Sequence, residues 1–231
     1  MHNTAKTIAD LFFKTYAGNH SNNAIVVDIG SQNINGSLKE VCPKNMQYIG
    51  VDFAPGSGVD IVMEDPYKVP FEDSQVDFCI CSSVFEHSEM FWLLFIELLR
   101  IIKPNGLLYL NVPSNGHFHR YPVDCWRFYP DSGNALVKWA KRCGLKPILL
   151  ESFISLQQVP HKWNDFVSIF LKDEAYSHQY PFRIIDQYDA FYNALTTESD
   201  QFKNFTQLTE DQAKIDFFQR VIEGKLVIKW F

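Results

Sequence analysis

The sequence has no apolar run of the roughly 18 residues that a membrane-spanning helix requires, so no membrane span is expected. It lacks a small-residue cleavage pattern near its start and carries Asp10 there, which does not read as a secretory leader. Its five cysteines, Cys42, Cys79, Cys81, Cys125 and Cys143, contain no CxxC pair, so neither a zinc site nor a disulfide framework is expected. Cys79 and Cys81 share a strand face and read as small core hydrophobes. A reducing cytoplasm is the expected location. Basic charge is also scarce, with 21 Lys and Arg against 27 Asp and Glu, so no broad positive field awaits a nucleic acid. Glycine is missing where a dinucleotide site needs it. The run Ile25-Val26-Val27-Asp28 continues as Ile29-Gly30-Ser31-Gln32-Asn33, placing Gln32 where G-x-G-x-x-G has its second glycine. A side chain there obstructs a pyrophosphate, which argues against an NAD-dependent dehydrogenase or epimerase.

Apolar residues make up 46% of the 231, enough for one α/β domain with an appendage. Short apolar runs at 25–28, 48–52, 60–62, 78–82, 107–112, 148–153 and 166–171 read as strands. Helical stretches are expected at 1–20, 90–102 and 132–143, with stops at Lys103-Pro104-Asn105-Gly106 and at Gly144. Alternation of this kind indicates a mostly parallel sheet with helices on both faces. Past residue 173 the spacing of Ile185, Tyr188, Tyr192 and Leu195 is helical, and Thr209 with Gln212 forms a capping box for a further helix. The tail 226–231 reads as a strand or packed terminus. The expected organisation is a helix and linker at 1–23, a core at 24–172, and a helical extension at 173–231 that serves as lid or interface.

Two apolar runs end on acids about twenty residues apart, Asp28 and Asp52, as two neighbouring strand ends facing a nucleoside would. With Asp28-Ile29-Gly30 and Asp52 come Asp65-Pro66-Tyr67-Lys68-Val69-Pro70-Phe71, Asp77-Phe78, and Leu98-Leu99-Arg100-Ile101-Ile102-Lys103-Pro104-Asn105-Gly106. In that order these segments resemble the class I S-adenosylmethionine-dependent methyltransferases. More narrowly, they resemble the small type 11 members common in bacterial surface-glycan and small-molecule pathways. The likeness covers about 24–172, and it implies a Rossmann-like seven-stranded fold with S-adenosyl-L-methionine as cofactor. It implies that Gly30 turns under the methionine part, that Asp52 takes the ribose hydroxyls, and that Asp65 accepts the adenine amino group. Ser31, Phe53, Pro66 and Ser82 complete the implied cofactor contacts, and Asp28 orients the turn or meets the methionine amino group. The family's G-x-G-x-G keeps only Gly30 here; Asn33 and Asn35 tolerate left-handed backbone, and Gly36 is expected to start a helix.

The segment after the fifth strand, 111–131, packs together His117, His119, Arg120, Arg127, Asp124 and five aromatic residues. Loops seldom carry so many rings without a pocket. If the methyl acceptor is a hydroxyl, it must lose a proton. His119 is the first candidate base, with Asp124 and His87 (of the pair Glu86-His87) as further catalytic candidates. His117, Arg120, Tyr121, Trp126 and Arg127 are candidate acceptor-binding residues, the arginines for a carboxylate or phosphate. The competing reading has Asp124 bracing the loop through Arg127 or Arg120, with Trp126 and Phe128 in the core. His117-x-His119 with Asp124 lacks a third clear ligand, so no metal is expected. The resemblance implies a small polar acceptor, a sugar derivative or related metabolite methylated on oxygen, with N-methylation of an amine as the related alternative; no nucleic acid and no membrane are expected, and a homodimer is left open. The other function class is a non-catalytic cofactor-binding or interaction protein with the same fold, suggested by the eroded glycine turn.

Overall fold

The computed structural model describes residues 3–20, 22–156 and 163–226. In chain order its elements begin with α1 (Asn3–Tyr16), β1 (Ile25–Ile29), β2 (Gln47–Asp52), β3 (Ile61–Val62) and β4 (Val76–Ser82). Then follow α2 (Phe91–Ile101), β5 (Ile102–Pro113), α3 (Ser132–Arg142), β6 (Ile148–Ser155) and β7 (Asp165–Leu171). The chain closes with β8 (Phe191–Thr196), β9 (Ser199–Lys203) and α4 (Glu210–Ile222). The strands form one nine-stranded sheet in the order β3-β2-β1-β4-β5-β7-β6-β8-β9. Strands β7 and β8 run against the other seven.

Alternation along the central strands sorts the core into two layers. Val27, Ile29, Cys79, Cys81, Leu108 and Leu110 face α2 and α3. Val26, Phe78, Ile80, Leu107 and Tyr109 face α1, which supplies Ile8, Phe12, Phe13 and Tyr16. Each central strand is therefore apolar on both sides, which is why these segments read as unbroken hydrophobic runs. At the edge of β1, Asp77 accepts the Ile25 N–H at 2.9 Å and the Lys103 ammonium at 2.8 and 2.9 Å. Burial alone would raise the Asp77 carboxyl, but contacts from His20, Lys103 and the Ile25 N–H outweigh it and hold it well below the carboxylate range. In β6, Glu151 accepts Tyr16 Oη–H and the Ile184 and Ile185 N–H groups, so one carboxyl ties α1 and the 184–186 turn to the sheet. Burial pushes that carboxyl up to about 7.

All seven expected strands are present, with two more that the sequence reading treated as helix. Tyr192 and Leu195 stand in β8, and β8–β9 is a hairpin joined at Thr197-Glu198. Their helical spacing is coincidental: β6 would otherwise present an open edge, and the aromatic-rich 191–196 segment satisfies its backbone. Ile185 and Tyr188 lie before the hairpin and pack against the α1 layer. The extension is helical only in α4, where the capping box forms: Thr209 Oγ1 accepts Gln212 N–H, and Gln212 Oε1 accepts Thr209 N–H. No residue of α4 is buried. Gly36 does not start a helix either; it has φ +115°, and a single 3-10 turn, Leu38–Glu40, follows. Among the described residues no helix is long and apolar enough to cross a membrane. The 226–231 tail lies outside the described residues except for Leu226.

Candidate active site

At the carboxyl ends of β1, β2, β4 and β5 lies a cleft of about 750 Å³. Gly30 makes the turn out of β1, with φ +77° and its N–H on Val51 O at 2.9 Å. A Cβ on Gly30 would stand 2.3 Å from Val84 Cγ2, so any other residue must displace the Val84 side chain as well as adopt a strained φ. Asp52, at the end of β2 and 6% exposed, lines the cleft. Its two oxygens accept the Ala54 and Gln32 N–H groups, each at 3.2 Å, which fixes the carboxylate while leaving lone pairs for a ligand. Phe53, Pro66 and Ser82 also line the cleft, as does Gln32. Gln32 thus forms part of the wall: its Oε1 accepts Tyr121 Oη–H, and its amide donates to Pro55 O at 3.3 Å.

Three expected cofactor residues stand elsewhere. Asp28 is buried behind the turn, where it accepts Tyr48 Oη–H and burial raises its carboxyl to about 7. Ser31 is buried beside Gly50 and outside the lining. The Asp65 carboxylate turns outward to accept Tyr67 N–H at 2.8 Å, and its neighbours Glu64, Pro66 and Tyr67 line the cleft instead. In a tight turn, consecutive side chains point to different sides, so a sequence match at Asp65 does not fix which of them faces inward.

The 117–127 segment folds along the cleft, where Tyr121 meets Gln32 of the β1 turn. Asp124, with its side chain 2% exposed, takes Arg127 Nη1 at 2.5 Å and Nη2 at 2.8 Å. It also accepts His119 N–H at 2.7 Å. Arg127 hydrogen bonds hold the Asp124 carboxyl down to about 2, so it is a permanent anion and a poor base. Arg127 further donates to His117 O and Trp126 O. Asp124, Arg127, His117 and Trp126 do not line the cleft; the first two brace the loop. The His117 ring lies against Trp163, with centroids 4.6 Å apart, and Trp126 Nε1 donates to Ser88 O at 2.9 Å. Arg120, Tyr121, His87 and His119 do line it. His87 Nδ1 meets Val123 O at 2.5 Å, and burial lowers its imidazole pKa. Beside it lies Glu86, 1% exposed, whose carboxyl burial pushes up to about 8. Sequence reasoning noted Glu86 only as the neighbour of His87; its burial and place in the wall come from the short turn Phe85–His87 after β4. Trp163 and Asp165, also in the wall, carried no signal in the sequence.

Acidic side chains outnumber basic ones in the lining, Asp52, Glu64, Glu86, Glu89 and Asp165 against Arg120, although burial favours the neutral form of Glu86. Such a wall suits a ligand with ammonium, sulfonium and hydroxyl groups and repels a pyrophosphate. The donor and acceptor set therefore fits S-adenosylmethionine and does not fit NAD. The fold is similar to that of solved S-adenosylmethionine-dependent methyltransferases. Residues 11–110 match the family model described as methyltransferase domain. An uncharacterized methyltransferase of Mycobacterium leprae is 36% identical over 80 residues, 32% of this chain and 29% of the relative. The chain thus spans about three-tenths of the length of such curated relatives. Among solved structures, Burkholderia thailandensis 1,6-didemethyltoxoflavin-N1-methyltransferase, with 1,6-didemethyltoxoflavin and S-adenosylhomocysteine bound, is similar at TM-score 0.54 and 12% identity. That match covers 74% of this chain and 79% of the other. The [4+2]-cyclase SpnF is similar at TM-score 0.53 and 13% identity, over 73% of this chain and 82% of the cyclase.

Proposed function

We propose that this protein methylates a hydroxyl of a small polar acceptor, a sugar or related metabolite, using S-adenosylmethionine. The observation that carries this reading is the acidic cleft at the strand ends, lined by buried Asp52 and by the Glu86-His87-His119 group. Asp52 would hold the ribose hydroxyls, the Gly30 turn would pass under the methionine part, and Phe53 and Pro66 would flank the adenine. Bound S-adenosylmethionine would supply an electrophilic methyl group, its sulfur leaving as a neutral thioether, and an imidazole of the Glu86-His87-His119 group would take the proton of the acceptor hydroxyl. The Glu86-His87-His119 group receives the acceptor at that hydroxyl. Arg120 and Tyr121 form the adjoining wall and orient its polar substituents, while the braced 117–127 segment excludes water.

Calorimetry with S-adenosylhomocysteine tests the cofactor half. Asp52→Ala is expected to weaken binding a hundredfold or more, the scale of two lost charge-assisted hydrogen bonds. Unchanged affinity would refute the role given to Asp52. A non-catalytic reading draws on the single remaining glycine of the turn and on the likeness to a cyclase. Release of S-adenosylhomocysteine over a panel of hydroxylated acceptors separates the two, since a binding protein shows none above background.

A further inference from the structure

We infer that Glu86, His87 and His119 form a divalent-cation site on the acceptor side of the cleft. This deepens the proposed function and rests on it, because the cation would hold the acceptor. One ligand atom from each residue lies within 4.8 Å of the others, and His87 Nε2 is 3.8 Å from Glu86 Oε1. The rings of His87 and His119 meet edge to face with centroids 4.8 Å apart. Cation–ligand bonds of about 2.1 Å place ligand atoms roughly 3–4 Å apart, so the group closes on an ion by about 1 Å, within reach of side-chain rotation.

The surroundings orient these groups for the task. His87 Nδ1 is committed to the Val123 carbonyl at 2.5 Å, an acceptor, so Nδ1 carries the proton and Nε2 the lone pair. His119 Nδ1 is committed to acceptors too, the Asp124 carboxylate at 3.3 Å and His117 O at 3.4 Å. Its Nε2 is likewise left as a lone pair. A carboxylate or carbonyl behind each imidazole is the arrangement that fixes the tautomer of a metal-binding histidine. Asp124 in turn is held rigid by Arg127. The third member, Glu86, has an Oε2 that is buried without any hydrogen-bond partner. A buried carboxyl oxygen without a partner is costly, and a cation bound to the ionised form would supply the partner it lacks. The sequence expectation of no metal weighed His117 and Asp124 instead. The fold turns His117 onto Trp163, gives Asp124 to Arg127, and supplies Glu86 and His87 from the far side.

Two imidazoles and one carboxylate favour Mn²⁺, Fe²⁺ or Zn²⁺ over Mg²⁺ or Ca²⁺, which prefer oxygen alone. Three protein ligands leave coordination positions open. The acceptor class this selects carries two adjacent oxygens, such as a vicinal diol or a hydroxy-carbonyl. A metal-bound hydroxyl loses its proton near neutral pH, so no separate strong base is needed.

The test uses the whole chain stripped with a chelator and titrated with MnCl₂, following free Mn²⁺ by electron paramagnetic resonance. One ion per chain is expected, with affinity at least tenfold weaker in Glu86→Gln and in His119→Ala and unchanged in His178→Ala, an exposed histidine remote from the cleft. Equal affinity in all three variants would overturn the site. Should the variants misfold, pulsed resonance on the wild-type protein decides: nitrogen coupling from two imidazoles is expected, and its absence overturns the proposal. Calorimetry with S-adenosylhomocysteine on the metal-free protein reads the cofactor half separately, so loss of one reading leaves the other standing.

Discussion

Replacing Asp28 with Asn tests whether this strand-end acid serves the fold or the ligand. In the fold it is 5% exposed, accepts only Tyr48 Oη–H among its side-chain partners, and has its carboxyl raised by burial from 3.8 to about 7. The sign follows from linkage. Between the two values the folded protein holds a proton that the unfolded chain has released, so stability falls as pH rises from about 4 to about 7. Above 7 the penalty is constant, at about 4 kcal/mol from 1.36 kcal/mol per pKa unit over a gap of roughly three. About 3 kcal/mol of that should develop between pH 5 and pH 8. Asn has the same shape and can accept from Tyr48, but it does not ionise. Its own burial adds a fixed offset, which cancels when the two pH values are compared. Urea unfolding at pH 5 and pH 8 should show wild-type stability dropping relative to Asp28→Asn by roughly 3 kcal/mol, a melting difference of roughly 6–12 °C for a chain of this size. Groups such as Glu151 titrate in both proteins and cancel as well. Parallel pH profiles for the two proteins would show that Asp28 is ionised in the fold and sink the reasoning. Lost affinity for S-adenosylhomocysteine in Asp28→Asn would restore it to the ligand.

Gly30→Ala should cost about 1–3 kcal/mol in urea unfolding and remove most S-adenosylhomocysteine affinity, because the new methyl meets Val84 and φ +77° is strained; wild-type values for both would contradict the close approach. Asp77→Asn should cost about 2 kcal/mol at pH 7 by leaving Lys103 without its anion. Because the Asp77 pKa is depressed, its contribution is present above about pH 4 and vanishes on acidification, so wild type and Asp77→Asn should converge there; a constant gap would show that the pair carries no charge term. Asp124→Ala should speed proteolysis within 117–127 severalfold at nearly unchanged global stability, and unaltered resistance would rule out the bracing role.

The strands were legible because burial on both faces leaves an unambiguous mark: Val26-Val27 and Phe78-Cys79-Ile80-Cys81 leave no polar side for solvent. The β8–β9 hairpin was not, since Ile185, Tyr188, Tyr192 and Leu195 satisfy a helical period while the decisive fact, an unpaired β6 edge, lies 40 residues away. In the site, residues set by backbone position, Gly30 and Asp52, were found where the strand ends put them. Residues whose role depends on which way a turn aims its side chains were not: Asp65 faces outward while Glu64 faces in. The loop 117–127 was recognisable as a pocket wall by its rings, but which of its polar groups faces the ligand is decided by one interaction, the seizure of Asp124 by Arg127.

That interaction also separates what the fold provides from what this chain adds. A fold shared at 12% and 13% identity by a methyltransferase and a cyclase fixes a crevice at the strand ends and little of the reaction. Reaction type must therefore come from groups grafted on the crevice's open side. Here those groups are drawn from two segments, the turn after β4 with Glu86 and His87 and the loop after β5 with His119, fastened together by Cys125 N–H on Glu86 O at 2.7 Å and by His87 on Val123 O. Backbone hydrogen bonds of this kind cost nothing in side-chain chemistry and hold the two segments at fixed separation. None of the lining residues comes from 173–226, so among the described residues the extension neither caps the cleft nor contributes to it. It packs on the α1 layer through Ile184, Ile185 and Tyr188 and pairs β8 with β6. On the proposed function, the acceptor side is thus built from the turn 85–87 and the loop 117–127 with Trp163 and Asp165, and changes there, not in the extension, are what should change the acceptor.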